Sequence, residues 1–151
     1  MRKICLLSEA FSPSELTENF QNKHDDFGGV CSFVGQVRGS SEVELLELLH
    51  YEPLTLPGME ELAGKAIDRF SLMGLLMVHR VGKMRPGEAI VCVSAISRHR
   101  RAAIEAVDFC MDHLKAAAWF WKREKLMTGW RWIEPRLEDY DDLKRWTSST
   151  T

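Results

Sequence analysis

A short basic cluster is the strongest candidate in the sequence for binding a small anion. Five residues, Ser97-Arg98-His99-Arg100-Arg101, follow an apolar, strand-like segment and open a helix-like one. A helix N-terminus presents free backbone N–H groups and the positive end of the helix dipole. Added guanidinium and imidazole groups suit a phosphate or a carboxylate there. An exposed basic turn paired with acidic neighbours would show the same pattern, and both interpretations stay open.

Two lysines in apolar surroundings are the candidates for catalysis, because a partly desolvated amine can act as a nucleophile or as an acid or base. Lys115 and Lys122 are separated by a segment of Ala, Trp and Phe residues. A continuous helix would bring them onto one face about 10 Å apart. If the helix ends near Ala118, Lys122 instead projects from a strand. We expect the stem of Lys115 to pack on Ala and aromatic side chains, although two surface lysines would give the same pattern.

Arg38 ends a glycine-containing, strand-like segment, where an arginine can clamp an anion or form a rim ion pair. Four histidines have no partner at metal-ligand spacing and are interpreted as ordinary polar or core residues: His24, His50, His79 and His113. The four cysteines form no CxxC pair and lie among apolar neighbours. They are typical of small buried hydrophobes in a reducing compartment. We therefore expect a cytoplasmic protein with no metal site, and the unpaired cysteines agree with an expected absence of a redox cofactor.

Composition narrows the class of protein. The chain has 151 residues, 45% of them hydrophobic and 28% charged, with a formal net charge of −2. These values exclude a disordered or collagen-like chain, and no apolar run approaches the about 18 residues of a membrane-spanning helix. A nucleic-acid binder usually carries a basic excess. Between residues 98 and 125, however, seven basic residues face four acidic ones. This favours a small anionic ligand over a polyanion, although a solvated basic helix face would show the same pattern. We expect no nucleic-acid and no membrane partner.

Periodicity and turn residues predict one α+β domain of mixed order over residues 1–151, with a polar tail at 142–151. Predicted strands cover residues 3–7, 29–37, 43–51, 75–81 and 89–95, the last buried on both faces. Predicted helices cover about 13–22, with Ser12 as the cap, then 57–70, with Pro57 near the start, and 101–117. An aromatic hairpin is predicted at 119–126 and 130–133, with Thr128-Gly129 at its turn. Gly35 is expected at a bulge or a close backbone approach.

Seven short motifs, taken in order, make the chain similar to the family of the large, catalytic subunit of molybdopterin synthase. Their order and spacing are specific, whereas any one of them alone is a weak signal. The resemblance spans most of the chain, from about residue 29 to residue 136. The motifs are F-V-G-Q-V-R at 33–38, L-x-H-Y-E at 48–52, H-R-V-G at 79–82, P-G-E at 86–88, S-R-H-R at 97–100, K-x6-K-R-E at 115–124 and W-I-E-P-R at 132–136.

The resemblance implies an α/β hammerhead-type fold and a homodimer at the core of a heterotetramer. Each protomer would bind a small ubiquitin-like sulfur carrier whose C-terminal Gly-Gly ends as a thiocarboxylate. The implied enzyme is a sulfurtransferase of molybdenum cofactor biosynthesis. It moves two sulfurs, one from each carrier, onto cyclic pyranopterin monophosphate and forms the dithiolene of molybdopterin.

The resemblance also assigns roles to individual residues. Lys115 and Lys122 match the family's two active-site lysines, while Arg38, His99 and Arg100 match its anion-binding pocket. Arg136 matches an arginine that can reach a neighbouring protomer's pocket. Two other hypotheses need no catalysis: a small-anion or nucleotide-binding module needs the basic residues but not both lysines, and a docking module needs only the Trp-rich hairpin.

Overall fold

The computed structural model describes residues 1–147, which form two four-stranded sheets and four helices. The strands are β1 (Arg2–Leu7), β2 (Gly29–Gln36), β3 (Leu45–His50), β4 (Gly74–Arg80), β5 (Gly82–Met84), β6 (Ala89–Ser97), β7 (Phe120–Leu126) and β8 (Gly129–Ile133). The helices are α1 (Pro13–Gln21), α2 (Glu52–Phe70), α3 (Arg100–Ala116) and α4 (Leu137–Lys144). The prediction of an α+β protein with a mixed sheet and a C-terminal aromatic hairpin is confirmed.

The first sheet has the strand order β1-β4-β6-β2, with β1 parallel to β4 and the other pairs antiparallel. Apolar residues of α2 and α3 pack on one face of β4 and β6, and Phe20 of α1 packs on the other. Every residue of β4 is buried, and so is β6 from Val91 onward. This two-sided burial confirms what the near-continuous apolar run of β6 predicts.

The second sheet has the order β5-β3-β7-β8 and is antiparallel throughout. Its inner face buries a separate cluster that includes Leu46, Leu48 and Met84. Phe120, at the start of β7, contacts both this cluster and the core beneath α2 and α3. The two sheets therefore meet at Phe120, only a few residues from both candidate lysines.

Two glycine predictions also hold. The ladder between β2 and β6 shifts register at Gly35, and a Cβ there would lie 2.8 Å from Cγ1 of Val91. Gly129 turns the aromatic hairpin with a φ of 125°, which L side chains rarely adopt. A bulge at Gly35 bends the edge strand just before Arg38.

The predicted helix start near Pro57 is wrong, because α2 begins five residues earlier and contains Pro57 in its interior. Pro53 occupies the first turn, where a missing N–H costs nothing. The carbonyl of Tyr51 holds the turn by accepting hydrogen bonds from the backbone N–H of Thr55 at 3.0 Å and from its hydroxyl at 2.8 Å. The proline in the first turn of the helix is therefore Pro53, and Pro57 lies one turn further on.

Arg145 and Trp146, which belong to the polar tail predicted at 142–151, pack on α3, while residues 148–151 lie outside the described residues. Arg145 donates hydrogen bonds to Asp108 and Asp112 of α3. The Trp146 ring packs edge-on against Phe109, with centroids 5.3 Å apart, and its Nε1–H donates to Asp112 at 2.7 Å. The polar composition of this segment did not predict the contact, because the Trp146 ring alone supplies most of the apolar surface that packs on α3.

We expect Trp146→Ala to lower the free energy of unfolding by about 2–3 kcal/mol, because it removes a half-buried ring and leaves the Asp112 carboxylate short of a donor. Urea denaturation measures the change. Met127→Ala is the control, because this side chain is 91% exposed at the hairpin turn and should change the free energy by less than about 0.5 kcal/mol. Equal effects of the two substitutions would show that the C-terminal segment is not anchored.

Candidate active site

The end of α3 and the beginning of β7 bring the two candidate lysines to one cavity. Lys115 lies in the last turn of α3, which ends at Ala116, and the chain then turns into β7 at Phe120. Lys122 is the third residue of β7 and pairs with Leu48 of β3. Both lysines line a cavity of about 110 Å³ between the two sheets. The strand alternative for Lys122 is therefore the right one.

The two lysines differ in how far their side chains are exposed to solvent. Lys122 is half-buried, and burial lowers its pKa; the charge of Lys115 and that of Arg136 lower the pKa further, while the carboxylate of Asp139 opposes them. Lys115 is exposed, so the expectation that its amine is the desolvated one is wrong. The reason is its position at the very end of α3, where the helix opens toward solvent. The partly desolvated amine is therefore that of Lys122, which lies in β7.

His79 forms part of the inner surface of the same cavity, although its sequence context predicts only a core histidine. Its ring stacks on Phe120 with centroids 4.1 Å apart and an interplanar angle of 21°. Burial lowers the pKa of His79 to about 4; the charges of Lys122 and Lys115 act in the same direction, and a hydrogen bond from Nδ1 to the Arg80 carbonyl opposes them. His79 is therefore neutral at physiological pH.

A wider cleft continues from the cavity to the surface and adds two of the candidate arginines. Arg38 and Arg136 line it together with both lysines. The Arg136 guanidinium lies 3.6 Å from the Asp139 carboxylate. Arg38, Lys115 and Lys122 form no salt bridge within residues 1–147. Two of the cleft's carboxylates, those of Asp139 and Glu124, are occupied by Arg136 and Arg131. Three cations are thus available to an anionic ligand.

The remaining two candidates lie elsewhere on the chain. His99 caps the start of α3, Arg100 is its first residue, and both are exposed. Arg100 lines a shallow depression with Arg101, Ile104 and Glu105. Fifteen residues of helix separate Arg100 from Lys115, which corresponds to about 22 Å. Within one chain, the structure does not bring His99 and Arg100 to the lysines.

Sequence reasoning missed His79, Glu134 and Asp139 as residues of the site. His79 follows the apolar residues of β4 and opens the H-R-V-G motif at 79–82, but only the stack on Phe120 reveals its place in the site. Asp139 and Glu134 fall in an acidic stretch that composition alone predicts to be solvated. The W-I-E-P-R motif at 132–136 contains Glu134, and this is the one signal that pointed to the segment.

The described residues contain neither a cluster of metal ligands nor a helix that could span a membrane. Among residues 1–147, no three His, Cys, Asp or Glu side chains cluster as metal ligands would. Over the same residues, no helix has the length and apolar character needed to span a membrane.

Comparison with known proteins gives consistent results. The profile of the family described as MoaE protein matches residues 6–117. A Caulobacter vibrioides protein named molybdopterin synthase catalytic subunit is 41% identical over 144 residues, covering 95% of this chain and 96% of that protein. The structure of the molybdopterin biosynthesis MoaE protein from Burkholderia ambifaria is similar with a TM-score of 0.83 and 33% identity, covering 97% of this chain and 99% of that one.

A more distant structure shares the fold. It is the protein–protein complex of subunits 1 and 2 of the molybdopterin-converting factor from Helicobacter pylori, similar with a TM-score of 0.76 and 24% identity. The match covers 88% of this chain and 91% of that one.

We expect acid to destabilise the protein partly through His79. The unfolded histidine has a pKa of 6.5 and the folded one a pKa of about 4, so the unfolded state binds more protons between these values. Stability is therefore lost as the pH falls from about 6.5 to about 4, by a total of about 3 kcal/mol. Urea denaturation at pH 7, 5 and 4 should show this loss in the wild type and a smaller loss in His79→Phe. Equal losses would contradict the assignment of a buried, neutral His79.

Proposed function

Because the chain belongs to the MoaE protein family, we propose that it is the catalytic subunit of a molybdopterin synthase. It transfers sulfur from the thiocarboxylated C-terminus of a small ubiquitin-like carrier subunit to cyclic pyranopterin monophosphate. Two such transfers form the dithiolene of molybdopterin. The observation that carries this proposal is the cavity that Lys115 and Lys122 share, since neither an anion-binding module nor a docking module needs two lysines in one cavity.

The two lysines have different tasks that follow from their exposure. Lys115 lies at the solvent-facing end of α3, where the terminal carbonyl of an entering carrier tail reaches it first. There its amine can polarise the thiocarboxylate, donate a proton or become acylated. Lys122 lies deeper and, as an ammonium, stabilises negative charge that develops during transfer. In each transfer the carrier's C–S bond breaks and a pterin carbon exchanges a bond to oxygen for a bond to sulfur, the oxygen leaving with the phosphate or as water. Water supplies the oxygen that restores the carrier carboxylate.

The cyclic phosphate of the substrate needs cationic partners near the lysines. Arg38 and Arg136 line the same cleft and can supply them from within the chain. His99 and Arg100 lie about 22 Å from Lys115 along α3. We therefore infer that a second copy of the chain, related by a two-fold axis, brings its His99 and Arg100 to this cleft. The functional unit is then a homodimer with two composite sites.

The full assembly of this proposal is a heterotetramer, in which the central homodimer binds one carrier at each site. The complex of two subunits known for the Helicobacter pylori relative supports a small partner subunit. The proposal places the enzyme in the cytoplasm, where reducing conditions keep its four free cysteines as thiols.

Lys115→Ala should abolish sulfur transfer while carrier binding stays nearly intact. Lys122→Ala should lower kcat by about 10²–10³-fold, as expected for the loss of one charge-stabilising donor, and weaken substrate binding somewhat. Lys115→Arg should not restore turnover, because a guanidinium stays protonated and cannot act as a nucleophile or as a proton donor at neutral pH. Single-turnover transfer from a thiocarboxylated carrier at saturation measures all three.

Lys65→Ala is the matched control, since this exposed lysine lies on α2 and, among residues 1–147, its salt bridge is to Glu61. Its rate should equal that of the wild type. A near-normal rate for Lys115→Arg would refute the proposed chemistry of Lys115, and product formation by the double variant Lys115→Ala/Lys122→Ala would refute the lysine site as a whole.

Mixed dimers test the composite site. Lys115→Ala and Arg100→Ala should each be nearly inactive alone at substrate concentrations below KM. Co-expression should restore about one quarter of wild-type activity, because half of the dimers are mixed and each mixed dimer has one intact site of two. If Arg100 served the lysines of its own chain, every site would carry one defect and mixing would restore nothing.

A further inference from the structure

His79 lies where the two sheets meet at the inner end of the lysine cavity. It follows Leu75 and Met77 on the face of β4 that packs toward α2 and α3. Its side chain is almost fully buried, with 7% of the residue exposed, and it lines the cavity together with both lysines. A buried polar ring at this point has to satisfy its nitrogens or present them to the cavity.

The hydrogen bond of one ring nitrogen fixes the role of the other. Nδ1 lies 3.0 Å from the backbone carbonyl of Arg80, and a carbonyl only accepts, so Nδ1 carries the hydrogen. In the neutral ring, Nε2 then holds a lone pair and acts as an acceptor. Within residues 1–147, Nε2 makes no hydrogen bond to the protein. The free acceptor of His79 is therefore available to a donor in the cavity.

The register of β7 places that donor. Phe120 and Lys122 are two residues apart on a strand, so their side chains lie on the same face about 7 Å apart. His79 stacks directly on Phe120 and is therefore a neighbour of Lys122 on this face. The ammonium of Lys122 has three hydrogens and, within the described residues, no salt bridge or hydrogen bond to a protein acceptor.

We propose that His79 is a positioning residue for the sulfur-transfer step: the Lys122 side chain, whose ammonium is unpaired among the described residues, turns so that it donates a hydrogen bond to Nε2, and this bond holds the charge at the inner end of the cavity. This inference rests on the function proposed above. A neutral acceptor suits the site because it orients the ammonium without cancelling its charge, whereas a carboxylate at this position would form a salt bridge with it.

Other charged groups also act on Lys122 and have to be kept constant in a test. Lys115 faces it from the end of α3, while Arg136 and Asp139 face it from the start of α4. Glu134 lines the cavity beside them. The test therefore changes His79 alone and leaves these four residues in place.

Two substitutions separate the acceptor from the ring. His79→Phe keeps an aromatic ring for the stack on Phe120 and removes the acceptor, whereas His79→Gln loses the ring and keeps an acceptor oxygen. His113→Phe is the matched control, because His113 also stacks on a phenylalanine, with centroids 4.2 Å apart, and also bonds a backbone carbonyl through Nδ1, at 2.8 Å. It lies outside the lysine cavity, against Glu61 and Lys65.

The first measurement needs no catalysis. In protein labelled with 13C at lysine Cε, NMR titration follows the pKa of Lys122, with its signal assigned by Lys122→Gln. His79→Phe should lower this pKa by about one unit, since the charged form loses a hydrogen bond. His79→Gln should keep it close to the wild-type value, and His113→Phe should leave it unchanged.

The second measurement is single-turnover sulfur transfer with bound carrier. We expect His79→Phe to lower kcat by about 10-fold or more with little change in KM, and to move the alkaline limb of the rate to lower pH along with Lys122. His79→Gln should recover most of the rate. A merely structural role would predict the opposite order, because His79→Phe preserves the stack and His79→Gln does not.

An unchanged pKa of Lys122 and an unchanged kcat in His79→Phe would overturn the proposal. Should this variant fail to fold, 15N NMR of the wild-type imidazole still decides: a hydrogen on Nε2 instead of Nδ1 would overturn it. If the wild type transferred no sulfur, the function proposed for the chain would fall, while the NMR titration would still judge the hydrogen bond between His79 and Lys122.

Discussion

Two lysine side chains share one small cavity, and the fold has to hold their positive charges together against repulsion. Lys122 also loses hydration there, which lowers the pKa of its amine. Neither lysine depends on a flexible loop, since Lys115 ends a helix packed on the first sheet and Lys122 lies inside a paired strand of the second. Asp139 offsets part of the repulsion from the mouth of the cleft. Because α3 and β7 are each fixed by their own packing, they can hold the two lysines close together despite their repulsion.

The junction of the two sheets makes this arrangement possible. Phe120 belongs to both hydrophobic clusters, so packing on either side fixes the start of β7. Its ring also supports His79, the one polar residue on the inner face at this end of β4. A largely apolar floor strengthens the electrostatic interactions of the charges above it, because a low-dielectric site screens them less than water does.

Local patterns predicted much of this fold and part of the site. The glycines at 35 and 129 act through backbone conformation and Ser12 through a hydrogen bond within its own helix turn, so local sequence identified all three. Features decided by distant partners escaped it: Trp146 meets α3 only in three dimensions, and His79 acquires meaning only from Phe120, 41 positions later in the sequence. The family motifs identified both lysines as candidate active-site residues. They did not tell which lysine is buried, because exposure depends on where a helix ends.

The C-terminal segment links the mouth of the cleft to the outside of α3. It leaves β8 at Ile133, passes Arg136 and Asp139 beside the lysines, and is pinned by Trp146 on Asp112. A terminus frays more readily than a sheet does. We therefore expect the anchor at Trp146 to detach on warming before the core melts, which would release the charges around Lys122. Activity should then fade at temperatures where circular dichroism still reports a folded protein.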